Sequence, residues 1–262
     1  MKYSIGIVTY SKRFHAFFEP LVNSIKESKP DVDIIVAVNG DCSKEFDESY
    51  RKKMLSLCAE HSKIFPMFFT EHRSLAKMWN NTVLNCPTEN LLLLNDDVYL
   101  TEDFWPILEK SIKMQKKEKI KSFKINGSWS HVYLDRREVF ENHWFDERLL
   151  GVGSEDGDYE WRALKNKGLD QFPDHLIMKG IINRTKQTAD STLAQKKARL
   201  INHKYFHINK EVMHQIKYKP SPDSPQRGIL SLSKYGPHVE EKEPCEQQYP
   251  YEEFYWDNKQ NI

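Results

Sequence analysis

An α/β fold, with a mostly parallel central sheet flanked by helices, is what the first hundred residues predict. Three observations carry this expectation. Short β-rich apolar runs alternate with segments of helical period, one run (Leu91 to Leu94, LLLL) is continuously apolar, and polar residues follow the runs at once. A continuous apolar strand suits a position buried on both faces, as parallel sheets require.

Tyr3 to Thr9 (YSIGIVT) reads as the first strand and Asp33 to Val38 (DIIVAV) as the second. Between them Phe14, Phe17, Phe18, Leu21, Val22 and Ile25 recur at helical spacing over 14–26. Such a βαβ unit places its strands parallel and adjacent. A helix over 44–62 then leads to a strand at Ile64 to Phe69, and a helix over Arg73 to Leu84 leads to LLLL. Ligands of open parallel sheets bind outside the carboxyl ends of the strands, which puts Thr9, Asn39 and Asp97 on one edge. Beyond a helix near Asp103 to Gln115 come apolar positions at Ile125 and at Val132, Tyr133 and Leu134, then an irregular stretch.

The length of 262 residues suits one main domain with a C-terminal extension. Lys and Arg number 39 against 38 Asp and Glu, a formal charge of +1, so no global field argues for nucleic acid as the partner. Cys42, Cys58, Cys86 and Cys245 lack CxxC or dense secreted spacing and read as reduced thiols. No run approaches the roughly 20 apolar residues of a membrane span, and the N-terminus runs straight into a strand without a signal-peptide pattern. The expectation is a cytoplasmic enzyme, peripheral at a membrane if its acceptor is lipid-linked.

Two acidic clusters stand out. Asn95-Asp96-Asp97 ends the buried strand; adjacent carboxylates there either close a turn or hold a hard cation such as Mg²⁺ or Mn²⁺ beside substrate phosphates. Glu155, Asp156 and Asp158 open a helix-like run, GSEDGDYEWRALKNKG, where free N–H groups and the helix dipole favour acids. Ser154 fits an N-cap, Asp158 and Arg162 fit a one-turn pair, and Gly168 fits a C′ stop. Taken together, the clusters suggest a metal at the leaving-group end of a transfer and a base at the acceptor end.

Four segments in this order resemble the GT-A fold glycosyltransferases of the family 2 type, with a likeness to the β-1,4-galactosyltransferases. They are IGIVTYSKR, DIIVAVNGD, LLLLNDDVYL and FDERLLGVGSEDGDYEWRALKNKG. The resemblance implies a Rossmann-like GT-A domain over 1–215, with a nucleotide-sugar half at 1–100 and an acceptor half and lid at 101–215, followed by an extension at 216–262. It implies a metal-dependent, inverting transfer of a sugar from a nucleoside diphosphate, UDP or GDP, to a hydroxyl of a glycan or glycoconjugate.

Carried over by residue, Asp97 is the metal ligand at the end of the DXD segment and Asp96 faces the nucleotide sugar. Asn95 replaces the usual first aspartate and brings an amide oxygen without charge. Asp156 is the general base, and Glu155 binds the acceptor or steadies the base. Thr9, Tyr10, Arg13 and Asn39 contact base and ribose, Arg73 and Lys77 the base or diphosphate, and Trp129 stacks on the acceptor sugar through an exposed indole.

The further metal-binding histidine of many relatives falls near Lys179 here, with His175 four residues earlier, so His203 or His207 is expected to close over the metal. The tail, with PSPDSP and YPYEEFYW, is expected to dock, cover the site or pair two copies as a homodimer. The alternatives are a non-catalytic nucleotide-sugar or glycan-binding module, which Asn95 and the displaced histidine would suit, and a sugar nucleotidyltransferase. The latter would need a glycine-rich basic loop that VTYSKR lacks.

Overall fold

The fold is the expected one. A computed structural model describes residues 2–10, 13–40, 47–70, 73, 75–145, 147, 155–177 and 180–183. Strands β1 (Ser4–Tyr10), β2 (Ile34–Asn39), β3 (Ile64–Phe68) and β4 (Asn90–Asn95) run parallel in the order β3-β2-β1-β4. The sheet continues through β7 (Ser128–Asp135), β6 (Phe123–Ile125) and β8 (Asp174–His175), with β7 antiparallel to both β4 and β6. A separate antiparallel pair joins β5 (Val98–Leu100) to β9 (Ile181–Asn183).

Both faces of the sheet are covered. Helices α1 (Glu19–Ser28), α2 (Glu48–Glu60) and α4 (Phe104–Gln115) pack on one face, where Leu92 and Leu94 meet Leu21, Met54 and Leu108. Helices α3 (Leu75–Leu84), α5 (Arg136–Glu141) and α6 (Glu155–Lys167) cover the other, where Leu91 and Leu93 meet Trp79, Val139 and Tyr159. The LLLL run therefore serves two cores at once, and burial of each leucine contributes about 1.5–3 kcal/mol.

Several local features differ from the sequence expectation. The segment before α1 is wound more widely, as a π-helical turn over Phe14–Phe18 that buries three phenylalanines, and Pro20 then enters at a helix start, where its missing N–H costs nothing. The stretch after β7 begins with a short helix: Asp135 accepts from the backbone N–H of Arg137 and Glu138 and starts α5. Asn126 and Gly127, with φ of 54° and 68°, form the two-residue turn joining β6 to β7, the left-handed pairing that Asn-Gly favours. Gly168 is the expected C′ residue, with φ of 63°, and Leu169 N–H reaches the Leu164 carbonyl beneath it.

Gly6 sets how closely α3 lies on the sheet. A Cβ there would overlap Thr82 Cγ2 and crowd Leu93. Gly6→Ala should therefore destabilise the chain by about 1–3 kcal/mol in urea denaturation, and adding Thr82→Ser, which removes the obstructing methyl, should restore much of that loss. An additive, unrescued pair would show that α3 is not held off by this contact.

Candidate active site

The carboxyl ends of β1, β2 and β4 lie side by side, and the acid pair sits just beyond β4. Asp96 is 3% exposed. Thr9 Oγ1, at the end of β1, donates to its Oδ2 at 2.7 Å, and Arg13 Nε donates to its Oδ1 at 2.7 Å. Arg13 Nη2 also lies 3.1 Å from Asp97 Oδ2. The guanidinium is seated 4.5 Å above the Phe17 ring, with the Tyr10 ring at 5.7 Å.

Burial pushes the Asp96 carboxyl up, to about 6, against the lowering pull of Arg13 and of the Thr9 hydrogen bond. Burial pulls the Arg13 guanidinium down, but Asp96 and Asp97 more than offset it and the net shift is upward. Thr9 and Arg13, expected at the nucleotide, thus have the acids as their contacts in this structure.

Asp97 Oδ1 is buried and has no hydrogen-bond partner among the described residues. An orphaned carboxylate oxygen of this kind suits a hard cation, so the site fits Mg²⁺ or Mn²⁺ through Asp97. No group of three or more His, Cys, Asp or Glu among the described residues forms a ready-made cage. Few protein ligands completed by phosphates and water are the usual Mg²⁺ arrangement. His203, His207 and Lys179 lie outside the described residues. His175 is engaged elsewhere, with Nε2 2.8 Å from Gln115 Oε1.

One residue the sequence reading missed stands close by. His131 pairs with Leu94 across the β4–β7 ladder, is 6% exposed, and has an unpartnered Nδ1 among the described residues. Burial lowers its imidazole to about 4, against the raising effect of Asp97 and Asp174. Its signal in the sequence was a polar residue immediately before the apolar run Val132 to Leu134.

The other expected nucleotide contacts are placed as follows. Asn39 closes β2 by donating from Nδ2 to the Arg73 carbonyl and accepting the Arg73 N–H, each at 2.8 Å. Lys77 Nζ lies 3.5 Å from Glu147 Oε2, and Asn80 on the next turn donates to Glu147 Oε1 and to the Phe145 carbonyl. Asn95 is the last residue of β4, beside Val8.

Because β7 runs against β4, its first residues lie beyond the carboxyl end of β4, level with the acid pair. Trp129 sits there, yet it is 7% exposed and packs against Phe145, Tyr159 and Phe172. Its indole N–H donates to Glu160 Oε2 at 2.9 Å. The exposed indole that sugar stacking needs is absent, and the correction has a local cause: a register irregularity at Lys124/Ile125 re-aims the strand start onto the second core.

Tyr159 and Glu160 belong to the first turns of α6, so Trp129 fixes the start of that helix near the same sheet edge. Glu155 is 3% exposed, and Asp156, half-buried, accepts the Gly157 N–H at Oδ1, 2.7 Å away. Arg162 donates to the carbonyls of Asn142 and Trp144, tying α6 to the turn after α5. The side chain of its expected partner Asp158, and Ser154, lie outside the described residues.

No protein-family model matches the sequence, and no curated protein matches it. Solved structures do match by shape. The 1–349 portion of TarS from S. aureus superposes with a TM-score of 0.51 at 10% identity, covering 88% of this chain and 79% of that one. The mannosyltransferase PcManGT from Pyrobaculum calidifontis, in complex with GDP-Man and Mn²⁺, superposes with a TM-score of 0.57 at 10% identity, covering 80% of this chain and 64% of that one. Against the longer TarS structure, at a TM-score of 0.51, the chain spans 48% of the other's length. The fold is thus the GT-A, Rossmann-like fold of glycosyltransferases. No helix among the described residues is long and apolar enough to cross a membrane.

The His131 environment is testable through pH. The unfolded chain protonates this histidine below about 6.5, the folded chain only below about 4, so its contribution lowers stability as pH falls through that window. Asp96, raised to about 6 from 3.8, contributes the opposite slope. His131→Gln should therefore gain stability relative to the parent chain between pH 7 and pH 4.5, read as paired urea midpoints; a constant difference would refute a buried neutral imidazole.

Proposed function

We propose that the chain is a metal-dependent glycosyltransferase that moves a sugar from a nucleoside diphosphate, UDP or GDP, to a glycan or glycoconjugate hydroxyl with inversion. The observation that carries this reading is the buried, unpartnered Asp97 Oδ1 at the carboxyl end of β4, in the edge where such sheets bind ligands. A mannosyltransferase on this fold holds GDP-Man and Mn²⁺, the same class of donor and metal.

In this reading residues 1–100 form the donor half, 101–215 the acceptor half and lid, and 216–262 an extension. Asp97 would hold the metal, which supplies positive charge to the departing diphosphate. Thr9 and Arg13 fix Asp96 and Asp97. Asn39 sets the backbone position of Arg73, and Arg73 and Lys77 face the donor from the start of α3. Asp156 takes the acceptor proton, and Glu155 beside it orients the acceptor or the base. A base on the side opposite the leaving group permits in-line displacement, which inverts the anomeric centre.

A thermal-shift panel of nucleotide sugars with and without Mn²⁺ tests the reading, because a donor at 100 times its Kd stabilises a fold by about 2.7 kcal/mol. A metal-dependent shift is expected, and Asp97→Ala should abolish its metal-dependent part; equal shifts in both proteins would remove the ligand role. With the best donor and a glycan acceptor pool, Asp156→Asn should cut transfer by about 10²–10⁴ while donor binding persists. Undiminished turnover would end the base assignment.

A further inference from the structure

Arg13 is bound to the acid pair more completely than a donor contact would be. Of the four carboxylate oxygens of Asp96 and Asp97, Thr9 takes one at 2.7 Å and Arg13 takes two, at 2.7 Å and 3.1 Å. The fourth, Asp97 Oδ1, has no partner among the described residues. Two ionised carboxylates and one guanidinium sum to a single negative charge, and they leave a single free oxygen.

A divalent cation such as Mg²⁺ or Mn²⁺ needs about six ligands and is usually bound through one or two carboxylates together with substrate phosphates. One oxygen and one net charge make a weak site, and a fixed guanidinium nearby repels a second cation. The guanidinium is fixed, because it is nearly covered and stacked 4.5 Å over Phe17. The same positive charge attracts a diphosphate, whose oxygens supply the missing ligands.

We infer that Arg13 is a resident counter-ion that keeps the metal affinity of the donor-free chain low, so that metal and nucleoside diphosphate load together. The inference rests on the glycosyltransferase reading above and gives Arg13 a positioning role through Asp96 and Asp97.

The test is a Mn²⁺ titration followed by the paramagnetic resonance signal of free Mn²⁺, with and without UDP, then GDP. The parent chain should bind Mn²⁺ about tenfold or more tightly with the nucleotide than without it. Arg13→Gln should bind Mn²⁺ without nucleotide about tenfold more tightly than the parent, with the nucleotide effect correspondingly reduced. Arg13→Lys, which keeps the charge, should retain weak nucleotide-free binding.

A folded Arg13→Gln with unchanged or weaker nucleotide-free affinity overturns the inference and leaves the glycosyltransferase reading standing. Should that variant fail to fold, the parent chain decides alone: equal Mn²⁺ affinity with and without nucleotide overturns it. A parent chain that binds neither Mn²⁺ nor nucleotide in any combination removes both proposals.

Discussion

A carboxylate almost sealed from water, just beyond the end of a strand buried on both faces, is the constraint around which this molecule is arranged. Asp96 is 3% exposed, and an ionised group in that position is costly unless it is paired and hydrogen-bonded. The compensation comes from two places distant in sequence, Thr9 on β1 and Arg13 ahead of α1. That requirement ties the first strand and the first helix to the end of the fourth strand. It also explains why a π-helical turn follows Arg13 directly, since Phe17 in that turn is the surface on which the guanidinium rests. The electrostatics of the acid pair and the winding of the first helix are parts of one arrangement.

The two cores divide the work. The face covered by α1, α2 and α4 holds the core that includes Val98 just past the acid pair, while the face covered by α3, α5 and α6 carries Lys77, proposed for the donor, and Glu155 and Asp156, proposed for the acceptor. Gly6 and Trp129 determine how the second layer sits. The missing side chain of Gly6 lets α3 approach β1. The large one of Trp129 reaches α6 through Tyr159 and Glu160.

Up to Leu94 the architecture was legible in the sequence, because each strand and helix there shows its own local period. Beyond it α4 and α6 were legible as well, at 103–115 and in GSEDGDYEWRALKNKG, but α5 and the short strands were not, for physical reasons that differ. Strands β5, β8 and β9 are too short to show alternation and exist through partners far along the chain, as Val98 does with Asn183. The β6–β7 hairpin did carry a local signal in Asn126-Gly127.

At the site, Asp96 and Asp97 could be found from their place after a buried strand. Their partners could not, since the Thr9 and Arg13 contacts join residues more than eighty positions apart. The inward turn of Trp129 could not be read locally, because the irregularity that produces it is a property of strand pairing. His131 was passed over because its neighbours look like plain core.

Three asparagines share a geometry. Asn39 with Arg73, Asn80 with Phe145, and Asn126 with Ile177 each donate to the carbonyl and accept the N–H of one distant residue. Each amide copies the edge of a strand, holding a loop where no strand could run. Aspartate has the same shape but no donor, so hydrolysis of the amide would set an anionic oxygen against a carbonyl that had received a hydrogen bond. Asn39 and Asn126 each precede a glycine, Gly40 and Gly127, the neighbour that least obstructs that hydrolysis, so the clamps on Arg73 and Ile177 are more open to chemical ageing than the clamp on Phe145.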